Sequence, residues 1–215
     1  MPKTNILRKS FKYADWNVSY IIIALNITVF LLIKMMPNLF NYLCLNVITV
    51  TKFKMFWQFF TYMFVHDPNG ISHLLFNMLG IFFFGVSVEK IIGSKEFILL
   101  YVTSGIISGL ASFVIFYFTG AWYNVLLGAS GAEYALLLSF AVLRPRDKIY
   151  LWGILPIPAP ILVACYGAIE LASQILSFKG GVAHITHLSG FVYAWLYFLI
   201  RFGVNPWKVW KNSYN

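Results

Sequence analysis

Six stretches of this chain are apolar for long enough to cross a membrane, and that leaves few folds open. They cover 17–36, 72–91, 97–118, 128–143, 149–176 and 183–203. Spanning a hydrocarbon layer ~30 Å thick takes about 20 helical residues. In lipid each backbone N–H and C=O must find its partner inside the protein, so such runs fold as helices. A composition with 60% hydrophobic and only 11% charged residues, and a mean hydropathy of +0.76, excludes a soluble domain. The chain therefore reads as an all-α polytopic membrane protein, with an arm at 1–16, a six-span domain at 17–203 and a tail at 204–215. The fourth run is the short one. A helix that starts below the membrane surface implies that water or irregular backbone reaches its first turn.

Charge sets the expected orientation. Lys3, Arg8, Lys9 and Lys12 precede the first span, Lys90 and Lys95 follow the second, Arg144, Arg146 and Lys148 follow the fourth, and Arg201, Lys208 and Lys211 follow the sixth. Only Lys34, Lys52, Lys54 and Lys179 fall on the opposite side. By the positive-inside bias both termini are cytoplasmic. The net charge of +9 is this topology signal together with contact to anionic membrane lipids, and it carries no nucleic-acid footprint. The basic N-terminus reads as the flank of a retained span, because no small-x-small cleavage site follows the first run. Cys44 in an outer loop and Cys165 in a span are too few and too far apart for a disulfide framework, and neither has metal-ligand spacing.

Between the first two spans, 37–71 contains an aromatic stretch from Phe53 to Phe64 and reads as an interfacial or partly embedded segment. Asp67-Pro68-Asn69-Gly70 is a turn. Ser104-Gly105 and Ser108-Gly109 form a small-residue stripe in the third span, a sign of close helix packing. Pro156, Pro158 and Pro160 make the start of the fifth span irregular or later than hydropathy suggests.

The chemistry gathers around Gly128-Ala129-Ser130-Gly131, a turn of small residues that opens the fourth helix. Small residues admit close backbone approach, and the free N–H groups of a helix start can bind developing negative charge. Taken alone, such a turn more often just caps and packs a helix. Its partners decide. Ser130 lies fourteen residues before Arg144 and His187 fourteen before Arg201, which at ~1.5 Å per residue places both about 21 Å from the charged ends of their spans. Asn77 and His73 precede Glu89 by twelve and sixteen residues, about 18 and 24 Å away, and bracket the same level. Ionisable groups at that depth line a cavity or pair with one another. A serine and a histidine from neighbouring spans are the minimum for nucleophilic catalysis. Oxyanion donors are available in the Ser130 backbone N–H, the His73 imidazole and the Asn77 amide. No acidic residue is evidently placed to orient His187, so the reading is a dyad.

These motifs resemble the rhomboid family of intramembrane serine proteases, and the resemblance runs from Trp57 to Ala194. Gly128-Ala129-Ser130-Gly131 is similar to the family's nucleophile motif, His73-Leu74-Leu75-Phe76-Asn77 to its second-span motif, and Ala183-His184-Ile185-Thr186-His187-Leu188-Ser189-Gly190 to its catalytic histidine on the sixth span. Gly85, Val88-Glu89-Lys90 and Gly93-Ser94 resemble the turn after the second span. The resemblance implies a six-transmembrane-helix rhomboid-like bundle, cleavage of single-span transmembrane protein substrates near their outer membrane boundary, and no metal or other cofactor. Helical geometry allows either His184 or His187 as the base. The family's spacing, with glycine three residues later, selects His187 through Gly190. Tyr134, one turn after Ser130, corresponds to an aromatic that packs on the catalytic imidazole in relatives, and Gly128, Gly131 and Gly190 support the site.

Departures are as informative. Gln58 stands where many relatives carry arginine after the tryptophan, and Ala194 where a further glycine is frequent. Glu133 has no assigned role, and Glu170 is expected near the outer half of the cavity or capping a neighbouring helix. The function expected is an intramembrane serine endopeptidase of a bacterial inner membrane. A catalytically silent client-binding rhomboid-like protein is the alternative; a small transporter is disfavoured because the polar residues sit in one layer and the spans show no inverted repeat.

Overall fold

The computed structural model describes residues 6–151, 153–176 and 182–214; Lys3 and Lys179, two of the charges used for orientation, lie outside them. Six helices form the bundle: α1 (Val18–Met35), α2 (Ser72–Ile92), α3 (Ser94–Phe118), α4 (Ser130–Leu143), α5 (Ala159–Leu176) and α6 (Val182–Tyr197, continued by a π-helical turn at Phe198–Phe202). Five are long and apolar enough to cross a membrane, and α4 is the shorter apolar one. Apolar side chains such as Ile21, Leu31, Phe83, Ile169 and Leu196 face outward. Their setting is lipid, which takes such surface without penalty.

Two small two-stranded sheets are added to the expected all-helical plan, the second of them a hairpin. Strands β1 (Leu45–Asn46) and β2 (Val125–Leu126) pair antiparallel, as do β3 (Lys148–Leu151) and β4 (Leu155–Pro158). The second hairpin absorbs Pro156 and Pro158, so α5 begins at Ala159 rather than at 149. Proline lacks an N–H donor and is tolerated at such an edge.

α4 is the axis of the bundle. Ala132, Ala135, Leu136, Leu138 and Ala141 on it are almost wholly buried, and α2, α3, α5 and α6 pack around it. Its approach to α6 is backbone-close: a Cβ added to Gly190 would stand 2.1 Å from the Gly131 carbonyl oxygen. The stripe on α3 packs as expected, with Ser108 against Gly131, Gly105 against Met63 and Gly109 against Tyr62, whose hydroxyl donates to the Gly105 carbonyl at 2.6 Å.

Buried carboxylates tie the charged end together. Glu89, at the end of α2, accepts from the backbone N–H groups of Val18 and Ser19 at 2.7 and 2.8 Å and from the Ser94 hydroxyl at 2.6 Å. It thereby caps the first turn of α1, where the helix dipole favours an anion. Glu96 at the start of α3 takes a two-pronged hydrogen bond from Arg201, at 2.7 Å on each oxygen. That geometry is the strong form of the pair.

At the opposite end, 37–71 folds back against the bundle. Gln58 is fully buried: it donates to the Asn41 and Tyr42 carbonyls at 3.1 and 3.2 Å and accepts from Thr49 Oγ1 at 2.6 Å and the Asn46 N–H at 3.3 Å. The residue that departs from the family pattern is the polar hub of this segment. Cys44 and Cys165 are both free thiols.

Candidate active site

The site is built where α4 begins. Gly128 has φ of 108°, a left-handed backbone that a side chain resists, and an added Cβ would stand 2.8 Å from His73 Nε2. Glycine thus serves twice: it turns the chain into the helix, and it lets the imidazole of α2 lie against the backbone beside Ser130. The Gly128 N–H donates to the Tyr62 carbonyl at 3.1 Å, anchoring the turn. Among the described residues no side chain caps α4. Its first N–H groups are therefore uncommitted to a capping side chain, the condition for an anion-binding helix start. The β1–β2 pair carries the preceding loop into the bundle, which is why this span is short.

Ser130 Oγ and His187 Nε2 are 2.8 Å apart. Tyr134 stacks on the His187 ring, with centroids 4.2 Å apart and planes 8° from parallel. Among the described residues no contact joins Ser130 to His184, which turns instead to Glu170. The reading of the sequence found no acid placed for His187, and here the structure corrects it: His187 Nδ1 lies 2.9 Å from Glu170 Oε1. The same carboxylate meets His184 Nδ1 through Oε2 at 2.5 Å and the Tyr134 hydroxyl through Oε1 at 2.5 Å. Against an ionised carboxylate, which only accepts, the geometry suits a His187 that donates from Nδ1 and presents Nε2 as acceptor to the Ser130 hydroxyl.

His73 and Asn77 face the same cavity as Ser130 and His187, a space of about 1000 Å³ walled further by Glu133 and Tyr166. Asn77 Nδ2 donates to the His73 carbonyl at 2.9 Å and keeps its second N–H. Glu133 lies against Gly80, where an added Cβ would stand 1.8 Å from its carboxylate.

One neighbour was not read from the sequence. His66 is fully buried with its ring centroid 5.0 Å from that of His73. Asn77 and the Phe64 backbone lie beside its nitrogens, yet no hydrogen bond of good geometry reaches either nitrogen among the described residues. Burial, and then the neighbouring His73, press its pKa down to about 4. Glu170, His184 and His187 offer ligand atoms within 4.8 Å of one another, a grouping a metal ion could use. Those atoms already bond to each other, so a cation would have to displace both hydrogen bonds.

A helical membrane bundle with a serine, two histidines and an asparagine converging on one cavity defines a polytopic membrane protein with a candidate nucleophile site. The rhomboid domain family model matches residues 54–204, and the chain belongs to the rhomboid family. It is 38% identical over 106 residues to proteins named rhomboid protease GlpG from Salmonella choleraesuis (strain SC-B67) and Salmonella newport (strain SL254), a match covering 47% of this chain and 35% of each relative. The chain thus spans about a third of the length of the curated relatives it matches.

Proposed function

We propose that this protein is an intramembrane serine endopeptidase that cleaves single-span transmembrane proteins near their outer membrane boundary. The observation that carries this is the 2.8 Å contact of Ser130 Oγ with His187 Nε2 at the mouth of an uncapped helix. His187 Nε2 takes the hydroxyl proton as Ser130 Oγ attacks the scissile carbonyl carbon. The oxyanion is held by the Ser130 N–H, the His73 imidazole and the second Asn77 N–H. His187 then gives the proton to the departing amine, and a water activated by the same imidazole hydrolyses the acyl-serine. Substrate helices must unwind to present a bond, so small or helix-weakening residues near the cut are favoured. The relatives are named as rhomboid proteases, which supports peptide-bond cleavage. Both termini lie in the cytoplasm by charge, the membrane is the bacterial inner membrane, and no cofactor takes part.

The test is labelling of the detergent-solubilised chain with a fluorophosphonate serine probe. Wild type labels, while Ser130→Ala and His187→Ala do not. A folded wild type that stays unlabelled refutes the protease reading and favours a client-binding role.

A further inference from the structure

We propose that Glu170 is the positioning carboxylate of His187, so that Ser130, His187 and Glu170 act in line as a triad; this rests on the protease reading above. Imidazole presents its two nitrogens on opposite sides. One is 2.8 Å from Ser130 Oγ and the other 2.9 Å from Glu170 Oε1, so a single ring bridges nucleophile and carboxylate. The contact fixes the tautomer that leaves Nε2 free to accept, and it places a negative charge where the imidazolium forms as Ser130 loses its proton.

The carboxylate is itself held. Its side chain is 9% exposed. Tyr134 donates to Oε1 at 2.5 Å while its ring stacks on His187, and His184 meets Oε2 at 2.5 Å. A buried charge persists only with such partners. Rotating Glu170 away would break three hydrogen bonds, so the orientation of His187 is over-determined. Base and carboxylate sit on different helices, α6 and α5, and of the five long helices α5 is the least buried, at 28%. The base is therefore aimed only while α5 is docked.

The experiment is saturation labelling of the full chain in detergent with the fluorophosphonate probe, separating the maximal labelling rate from the apparent affinity. Glu170→Gln keeps shape and volume and removes the charge. Its maximal rate is expected to fall by about 10²-fold or more, with apparent affinity and thermal unfolding midpoint near wild type. A rate within about twofold of wild type overturns the proposal. So does a loss that appears only as weaker affinity or a lower unfolding midpoint, since that marks a packing residue. A readout on the unsubstituted site serves if Glu170→Gln does not fold: the Nδ1–H of His187 gives a strongly deshielded imidazole proton that His187→Ala removes and Ser130→Ala keeps, and a spectrum without it overturns the proposal. Wild type without any labelling overturns the protease reading instead, so the two failures are distinct.

Discussion

Gly190→Ala asks the most of the architecture. The new Cβ would stand 2.1 Å from the Gly131 carbonyl oxygen, 3.2 Å from its carbon and 3.3 Å from Tyr134 Cβ, whereas ordinary contact begins at 3.4 Å. Two of the three atoms are backbone, so no rotamer change relieves the clash. α4 and α6 must part by about 1 Å at this level, because a close-packed interior has no slack to absorb it. Ser130 precedes Gly131 by one residue and His187 precedes Gly190 by three, so the separation acts directly on their 2.8 Å contact. Stretched by ~1 Å, it passes beyond hydrogen-bond range. Overpacking of this kind costs about 1–3 kcal/mol of stability. A ~1 Å misplacement of reacting groups costs about 10²-fold in rate. The expected result is a folded protein with an unfolding midpoint a few degrees lower and fluorophosphonate labelling slowed about 100-fold. Both are measured on one detergent preparation, by thermal scan and by gel fluorescence over time. Labelling within about twofold of wild type in Gly190→Ala would refute the idea that this backbone contact sets the distance from serine to base.

Other perturbations test the parts around it. Gln58→Leu removes the bonds to the Asn41 and Tyr42 carbonyls, the Thr49 hydroxyl and the Asn46 N–H, but Trp57 Nε1 still donates to the Tyr42 carbonyl and Thr49 Oγ1 to the Asn46 carbonyl, so the expected cost is about 1–3 kcal/mol in all; a thermal scan should show a drop of that size, and an unchanged midpoint would deny Gln58 its role as hub. His66 gives the bundle a defined pH response. Unfolded, this histidine takes up its proton near pH 6.5, and folded only near 4. Folding therefore excludes a proton in that window. The stability it lends is complete above pH 6.5 and declines as pH falls towards 4, by up to about 3 kcal/mol. His66→Gln should flatten that decline, and equal slopes in the two proteins would remove His66 as its source.

What the sequence discloses about this molecule follows from what a one-dimensional pattern can encode. Hydropathy marks spans because lipid penalises every exposed polar backbone group, and the predicted bounds of α1 and α2 fall within two residues of the observed ones. Depth is also countable. The helical rise is fixed, so residues equally far from charged span ends arrive at one level, and Ser130 and His187 do meet. Rotation about the helix axis is not countable, since it is set by which ridges of neighbouring helices interlock. The contact of Glu170 with His187 was lost on both grounds. The helix of Glu170 starts after a proline-bearing hairpin rather than at the hydropathic boundary, so the residue had no end to count from. Its direction depends on α5 turning one face to α4 and α6, where Tyr134 on the first and His184 and His187 on the second wait. His66 left still less trace, because a loop has no period and a single histidine there is indistinguishable from a solvated one. Gln58 was legible only as a departure; its five partners come from chain three to seventeen residues away, folded back by the turns between. The acid that most affects the proposed chemistry is thus the residue whose place depends wholly on tertiary packing, and helix rotation rather than helix depth is the quantity a reader of such sequences lacks.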